Sequence, residues 1–175
     1  MQIPDSTIVL KDLKPLYNRC LSDKCCFVGE TLSRNVTATY SSTFPNTQII
    51  GCKKNSPVIE EYISKLELLN SRDYTNEMDF LGDMGRELYQ YIISGKMNKI
   101  DGCTFGAKDN NNDDVTIDRL LGNTFIDFSP KLCAIYLPSQ EILTRTKFGW
   151  FARLSQDQLR TCDTVASKWM IIAQN

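Results

Sequence analysis

The apolar positions in the first third of the chain fall into short runs that end in turn residues. Residues 6–10, 25–29 and 48–52 are rich in apolar and β-branched side chains, which predicts three short buried strands. Pro15 follows the first run and predicts the start of a short helix, because its fixed φ suits the first helical position. Residues 33–46 are mostly polar and rich in hydroxyl groups, so we expect a loop there.

Helical spacing of apolar residues dominates the middle of the chain. Ser56 is a typical N-cap and Pro57 a typical first helical residue, and apolar side chains then recur at helical spacing to about Asn70. A second run with the same spacing covers residues 78–92 and stops before Gly95. The pattern therefore predicts two helices in succession.

The last third of the chain mixes both patterns. Residues 124–128 and 133–137 predict strands, and residues 154–173 predict a closing helix with Ser155 as its cap. Residues 109–114 carry only acidic and amide side chains, but a calcium-binding loop would also need a glycine at its sixth position and a glutamate at its twelfth. We therefore expect a solvated surface loop there.

Length and composition fit one ordinary globular domain. The chain has 175 residues, of which 42% are hydrophobic and 23% charged. A chain of this size can bury roughly 70% of its unfolded surface. We therefore expect a single α/β domain that spans residues 1–175.

Charge and hydropathy narrow the classes of partner. The 20 basic and 21 acidic residues give a net charge of −1, whereas a nucleic-acid-binding protein would show a basic excess. The aromatic and basic cluster at residues 147–153 would suit stacking on RNA bases, but it lacks a basic surround. No apolar run approaches the roughly 20 residues that a membrane span needs. We expect a soluble, cytoplasmic protein with no nucleic-acid partner and no membrane span.

Cysteine and histidine content restricts the compartment and the chemistry. The seven cysteines are an odd number without C-x-x-C spacing, and most lie inside apolar runs. Free buried thiols behave as small hydrophobic side chains, so we expect free cysteines rather than a disulfide framework. The chain has no histidine, which excludes sites of the Ser-His-Asp, Cys-His and H-E-x-x-H types. Carboxylates, amines, hydroxyls and backbone amides remain for any chemistry.

Two short stretches hold the candidate chemistry. Asp5 stands at the head of the first predicted strand, two residues before the hydroxyl of Thr7. The third predicted strand stops near Gly51 and is followed by two lysines, of which Lys53 is the first. An acidic strand end near a basic one suits a metal-bound donor that carries phosphates. The simpler alternatives are that Asp5 is a turn residue and Lys53 a solvated side chain.

Three segments in this order resemble the sugar-binding part of GT-A-type glycosyltransferases, those with a DXD sugar-binding region, and the related capsular-polysaccharide-synthesis proteins. The first segment reads D-S-T-I-V-L-K-D-L-K-P-L from Asp5, the second F-V-G-E-T from Phe27, and the third N-T-Q-I-I-G-C-K-K-N-S-P-V-I from Asn46. A later F-L-G-D-M from Phe80 stands where such enzymes keep a glycine turn that lines the sugar pocket. The resemblance covers the chain to about residue 95.

This resemblance implies a fold, an activity and a site. The fold would be a partial GT-A-like (Rossmann-like) mixed sheet with flanking helices, and the activity a metal-dependent, retaining transfer of a hexose from a nucleotide-sugar donor to a glycan or other hydroxyl acceptor. Mn²⁺ or Mg²⁺ would neutralise the donor phosphates, with Asp5 as the metal ligand. In such a reaction the donor phosphate can take the acceptor proton, so histidine is not required. Asp5 and Asp83 would be the catalytic residues, and the substrate-binding residues would be Thr7, Asn46, Gly51, Lys53 and Gly82.

The chain departs from the family pattern in two places. The triplet that begins at Asp5 ends in Thr7 instead of a second acid, and a hydroxyl is a poorer ligand for a hard metal. Another acid would then have to assist: Glu30, Asp79 or Asp83. The nucleotide-binding half that precedes the acidic strand in the family has no counterpart in this sequence.

Three alternatives follow from these departures. The chain could be a fragment of a longer enzyme, one half of a split enzyme, or a remnant that serves as a non-catalytic structural or assembly subunit. A parallel strand at residues 6–10 without neighbours would expose an adhesive edge. We therefore expect another chain to cover an exposed apolar surface there, within a larger assembly.

Overall fold

The computed structural model describes residues 1–30, 45–75, 77–138, 142–143 and 147–174, without the side chains of residues 77–79 and 81. In this part of the chain it is a mixed α/β structure with two small sheets, which confirms the predicted class. The strands are β1 (Thr7–Val9), β2 (Cys26–Glu30), β3 (Pro45–Cys52), β4 (Asn98–Lys99) and β5 (Ala134–Tyr136). The helices are α1 (Lys14–Cys20), α2 (Pro57–Asn70), α3 (Glu77–Ile93), α4 (Ile117–Leu120), α5 (Gln156–Thr161) and α6 (Val165–Gln174).

The contacts within the chain divide it into two compact units. Among the described residues, unit 1 comprises residues 1–4, 13–30 and 45–101, and unit 2 comprises residues 5–12 and 102–174. The prediction of one domain over residues 1–175 stays a prediction.

Unit 1 is built on a three-stranded sheet in the order β3-β2-β4. β3 runs antiparallel to β2, with Cys26 opposite Cys52 and Val28 opposite Ile50, and the register shifts after Val28. β4 lies parallel to β2 on its other side. Every residue of β2 is buried, as expected for a central strand.

The two predicted helices of unit 1 are confirmed as α2 and α3. Their apolar side chains meet the sheet in one buried cluster, where Tyr62, Leu88 and Tyr91 pack with Cys26 and Val28. The rings of Tyr62 and Tyr91 meet edge to face with centroids 6.0 Å apart, a favoured arrangement of aromatic rings. Burial of this apolar face, more than helix propensity, keeps both helices in place.

Unit 2 contains the two-stranded antiparallel sheet of β1 and β5. Ile8 of β1 lies opposite Ile135 of β5, and both are buried. They share one core with Ile117 and Leu120 of α4 and with Val165 of α6. The core therefore ties the strand that follows Asp5 to the end of the chain.

Several local predictions in unit 2 are wrong. β1 is paired with β5, so it is not the unpaired parallel strand expected from the sequence. Residues 124–128 form no strand, and Phe125 is 81% exposed because only its neighbour Ile126 enters the core. The predicted surface loop at residues 109–114 is confirmed for residues 110–113, which are exposed, but wrong for Asp109, which is buried at 3% exposure.

The predicted closing helix is divided into α5 and α6. The backbone is extended at Cys162, and the Thr164 hydroxyl accepts a hydrogen bond from the Ser167 nitrogen at 3.1 Å, which caps the second helix. The predicted cap at Ser155 is confirmed, since it forms a complete capping box with Gln158.

The boundaries of β3 differ from prediction. This strand begins at Pro45, inside the stretch predicted as a loop, because residues 45 and 46 pair with the end of β2. The rest of that predicted loop lies outside the described residues.

The cysteines form no disulfide bonds. All seven cysteines are free; Cys26 and Cys103 are buried and the other five are half-buried. Within the described ranges, no helix combines the length and the apolar character that crossing a membrane would require.

Candidate functional site

Asp5 lies directly before β1 in unit 2. The backbone oxygen of Ser6 accepts a hydrogen bond from the Leu137 nitrogen at 3.0 Å, which fixes the chain at the start of the strand. Ile8 is buried in the core. Asp5 itself is exposed. The strand therefore anchors the backbone and leaves the carboxylate accessible to solvent.

Asp5 lines a cleft of ≈ 320 Å³ beside β1. The other lining residues are Ser6, Thr7, Ile8, Leu137, Ile142, Leu143, Phe151, Ala152 and Met170. Among these described lining residues, Asp5 is the only one with an ionisable side chain. The cleft offers one anionic group beside largely apolar walls, a combination suited to a ligand with a cationic or metal-bound end and an apolar body.

The hydroxyl of Thr7 has no hydrogen bond although it is buried. Its Oγ1 atom has no partner in the structure. A buried polar group without a hydrogen bond lowers the stability of the fold by about 1–3 kcal/mol, and such groups are rare in folded proteins. Because Oγ1 is covered, it is not placed to bind an ion in the cleft directly.

A second groove of ≈ 340 Å³ lies along Thr7, Ile8 and Val9 and is also lined by α5 and α6. Arg160 brings a positive charge to this groove, and its guanidinium lies 3.7 Å from the Asp157 carboxylate. The two openings share Thr7, Ile8 and Met170 as lining residues. Residues of β1 thus line two openings, one with Asp5 as its charged side chain and one with Arg160.

Asn46 lies in unit 1, near the start of β3, and is 5% exposed. Its Oδ1 atom accepts a hydrogen bond from the Gln48 nitrogen at 2.9 Å, whereas its Nδ2 has no partner. Glu30, the last residue of β2, is buried and lies 3.1 Å from the Lys99 ammonium. In the strand register Glu30 is opposite Pro45, the neighbour of Asn46. This end of the sheet therefore offers an unused amide donor and a buried carboxylate.

Gly51 and Lys53 follow on the same strand and its turn. A Cβ atom at Gly51 would lie 2.1 Å from Cζ of Phe27, so the position needs glycine for packing inside the hairpin. The Lys53 nitrogen donates to the Cys25 oxygen at 2.7 Å, and its side chain is exposed. The substrate-binding roles of both residues stay predictions.

Gly82 and Asp83 lie inside α3, so the glycine turn expected there is wrong. A Cβ atom at Gly82 would meet nothing within 4 Å. The Asp83 carboxylate accepts hydrogen bonds from Arg86 at 2.8 Å and from the Tyr74 hydroxyl at 3.0 Å. Arg72 lies 3.7 Å from the same carboxylate. These contacts make Asp83 part of a structural ion-pair network, and its catalytic role stays a prediction.

The predicted site residues divide between the two units. Asp5 and Thr7 line one cleft in unit 2. The other five lie in unit 1, namely Asn46, Gly51, Lys53, Gly82 and Asp83. The assembly of all seven into one site stays a prediction.

Sequence reasoning missed Lys99 and the apolar walls of the cleft. Lys99 lies in the two-residue strand β4, and the surrounding residues 97–100 show no alternation of apolar and polar positions that would have predicted a strand. Phe151 and Leu137 come from distant parts of the chain, so only the tertiary contacts bring them beside Asp5.

A divalent ion would need only one or two protein carboxylates in this cleft. The described residues hold no group of three or more histidine, cysteine, aspartate or glutamate side chains suited to a metal. Mg²⁺ usually keeps several waters and binds through one or two carboxylates together with substrate phosphates. The exposed carboxylate of Asp5 fits that requirement, whereas Glu30 and Asp83 are already paired with cations.

Comparison with known proteins gives no relative. No protein-family model, no curated protein and no solved structure matches this chain.

Proposed function

We propose that the chain takes part in the transfer of a hexose from a nucleotide sugar to a hydroxyl acceptor, as a glycosyltransferase with a partial GT-A-like fold. The observation that supports this most is the position of Asp5. Asp5 is exposed just before β1 and lines a cleft in which the other described lining residues carry no charge. One or two carboxylates together with substrate phosphates are the usual way in which a protein holds Mg²⁺.

The proposed roles follow from the contacts of each residue. Asp5 would hold Mn²⁺ or Mg²⁺, which when bound neutralises the charge of the donor diphosphate. The apolar wall around Phe151 would exclude water from the bound donor. Asn46 lies in unit 1 and its Nδ2 is buried, so its contact with the donor sugar stays a prediction.

The substitution Asp5→Asn tests this function because it keeps the size of the side chain and removes its charge. We expect the full chain with Mn²⁺ to release nucleoside diphosphate from a UDP- or GDP-sugar, and Asp5→Asn to lower that rate by about 100-fold, the scale of one lost electrostatic stabiliser. Asp113→Asn is the matched control, since Asp113 is an exposed aspartate of the same unit. Equal rates for Asp5→Asn and the wild type, or no release by the wild type from any donor tested, would contradict the proposal.

A second candidate is a non-catalytic assembly subunit. Leu143 lines the cleft and is 62% exposed, and Val9 lines the second groove and is 40% exposed. Apolar side chains of this size at the edges of two openings favour a protein partner. Under this candidate Asp5→Asn leaves assembly unchanged, and Leu143→Ser weakens it. A well-behaved monomer in size-exclusion chromatography at all concentrations would count against it.

A further inference from the structure

Three thiols lie together in unit 1 at the first turn of α2. The Sγ atoms of Cys25 and Cys26 are 4.0 Å apart. Cys52 is opposite Cys26 in the pairing of β2 with β3. All three side chains belong to the apolar cluster that also contains Val58 of α2. None of them was placed in the glycosyl-transfer site proposed above.

The N-terminus of α2 is arranged around the sulfur of Cys25. Ser56 occupies the N-cap position, but its side chain makes no capping hydrogen bond. Its hydroxyl instead donates to Sγ of Cys25 at 3.2 Å. Through this hydrogen bond the sulfur lies beside the N-terminus of a 14-residue helix, where a negative charge is favoured.

Cys25 and Cys26 differ in how easily they ionise. The hydrogen bond from Ser56 is the largest influence on Cys25 and lowers the pKa of its thiol, against the opposing effect of burial. Burial raises the pKa of the Cys26 thiol to about 12. Cys25 is also half-buried, whereas Cys26 is completely buried. Of these two thiols, Cys25 is therefore the one that ionises more easily and is more accessible, the two properties that a reactive cysteine needs.

We propose that Cys25 and Cys52 form a peroxide-sensitive dithiol, in which Cys25 is oxidised first and Cys52 then closes a disulfide with it. Cys26 is excluded as the partner because consecutive Cα atoms are about 3.8 Å apart, closer than the roughly 4.4 Å at which disulfides begin. Directly paired residues of antiparallel strands lie about 4.5–5.5 Å apart. The Sγ atoms of Cys25 and Cys26 are 4.0 Å apart, so the Cys25 sulfur lies beside Cys26, whose strand partner is Cys52. Cys25 is one residue along the chain from that pair, which puts its Cα about 6 Å from that of Cys52, within the roughly 4.4–6.8 Å that disulfides span.

The chemistry requires only hydrogen peroxide as the oxidant. The Cys25 thiolate attacks one peroxide oxygen, the O–O bond breaks, and hydroxide leaves while the sulfur becomes a sulfenic acid. The Cys52 sulfur then attacks the oxidised sulfur, the S–O bond breaks, and the leaving hydroxide takes the Cys52 proton as water. In sum, two thiols and one peroxide give one disulfide and two waters.

Peroxide treatment of the full chain, followed by peptide mapping by mass spectrometry, tests the dithiol. We expect a Cys25–Cys52 disulfide in the wild type. In Cys52→Ser we expect a Cys25 sulfenic acid that a 1,3-diketone reagent traps, and in Cys25→Ser neither product. Cys133→Ser, a substitution of a half-buried cysteine in unit 2, should behave as the wild type. A disulfide between other cysteines, or one that forms equally well in Cys25→Ser, would overturn the proposal.

Alkylation of the wild-type chain gives a second test of Cys25, with Ser56→Ala as its only variant. An ordinary cysteine is only a few per cent thiolate at pH 7, so we expect iodoacetamide to label Cys25 about tenfold faster than Cys133. Ser56→Ala should remove most of that advantage, because the hydrogen bond to Sγ is lost. Equal labelling rates of Cys25 and Cys133 in the wild type would refute the proposed reactivity.

Discussion

The buried carboxylate of Asp109 allows a quantitative test of how unit 2 is stabilised. Its Oδ2 atom lies 2.8 Å from Nη2 of Arg119. Its Oδ1 atom accepts hydrogen bonds from the nitrogens of Asn111 and Asp113, each at 3.0 Å. Asp109→Asn keeps the size and an acceptor oxygen but removes the charge that pairs with Arg119. The substitution therefore removes the charged hydrogen bond with Arg119, while the amide oxygen can still accept from the two backbone N–H groups.

The structure sets the expected magnitude. A hydrogen bond to a charged group contributes about 1.5–3 kcal/mol. The Arg119 side chain is 36% exposed, so water can hydrogen-bond to its guanidinium after the bond to Asp109 is lost. We expect Asp109→Asn to lower the free energy of unfolding by about 2 kcal/mol, and the melting temperature by roughly 4–8 °C for a chain of this size. Asp109→Ala also removes the acceptor of two N–H groups and should cost about 3–5 kcal/mol.

The effect of this substitution should depend on pH. Burial is the largest influence on the pKa of Asp109 and raises it, but the hydrogen bonds from Arg119, Asp113 and Asn111 together outweigh burial and lower the pKa. A lowered pKa means that the ionised group stabilises the fold at pH values above its unfolded pKa of about 3.9. That stability is lost as the pH falls through the folded pKa. The difference between wild type and Asp109→Asn should therefore shrink as the pH falls below about 4.

Urea unfolding followed by tryptophan fluorescence measures this difference directly. The two tryptophans of the chain, Trp150 and Trp169, both lie in unit 2 and report its unfolding. Asp113→Asn is the control and should change the free energy of unfolding by less than about 0.5 kcal/mol, as for most surface substitutions. Equal stability of Asp109→Asn and the wild type at neutral pH would refute this reasoning, as would a difference that stays constant down to about pH 3.

Three further predictions test packing and capping. Gly51→Ala should lower the free energy of unfolding by about 1–3 kcal/mol, because the new Cβ would lie 2.1 Å from the Phe27 ring. Adding Phe27→Leu to this variant should recover part of the lost stability in thermal melts followed by circular dichroism. An unchanged melting temperature of Gly51→Ala would contradict the close packing of these two strands. Gly82→Ala should raise the free energy of unfolding by up to about 1 kcal/mol, because the position is helical and a new Cβ would meet no other atom within 4 Å. A lower melting temperature would instead show that something approaches Gly82 closely. Ser155→Ala removes the capping box with Gln158 and should cost about 1 kcal/mol by urea unfolding, so an unchanged midpoint would argue against that cap.

The sequence predicted elements that carry their own local signal. α2 was predicted to run from Pro57 to about Asn70, because a cap residue, a proline and helical apolar spacing agree there. The break between α5 and α6 was missed because apolar spacing continues across it, while the cap at Thr164 looks like any other hydroxyl residue. The burial of Asp109 was missed because its guanidinium partner lies ten residues further along the chain, at Arg119.

The candidate site was predictable only in part, for the same physical reason. The exposed position of Asp5 just before a short strand follows from the local pattern of polar and apolar residues. The walls of its cleft depend on contacts between distant segments, which no local pattern encodes. The motif F-L-G-D-M predicted a turn at Gly82. The residue is helical instead, since α3 begins at Glu77 and includes both Gly82 and Gly85. Ser56 was correctly placed at the helix start, but only the structure shows its hydroxyl on the Cys25 sulfur.

The most direct test of the central claim is a calorimetric titration of the full chain with UDP or GDP, with and without Mn²⁺. We expect at least one of these nucleotides to bind only with Mn²⁺, and this binding to disappear in Asp5→Asn and persist in Asp113→Asn. Binding that is the same without the ion or in Asp5→Asn, or no binding of either nucleotide, would contradict it.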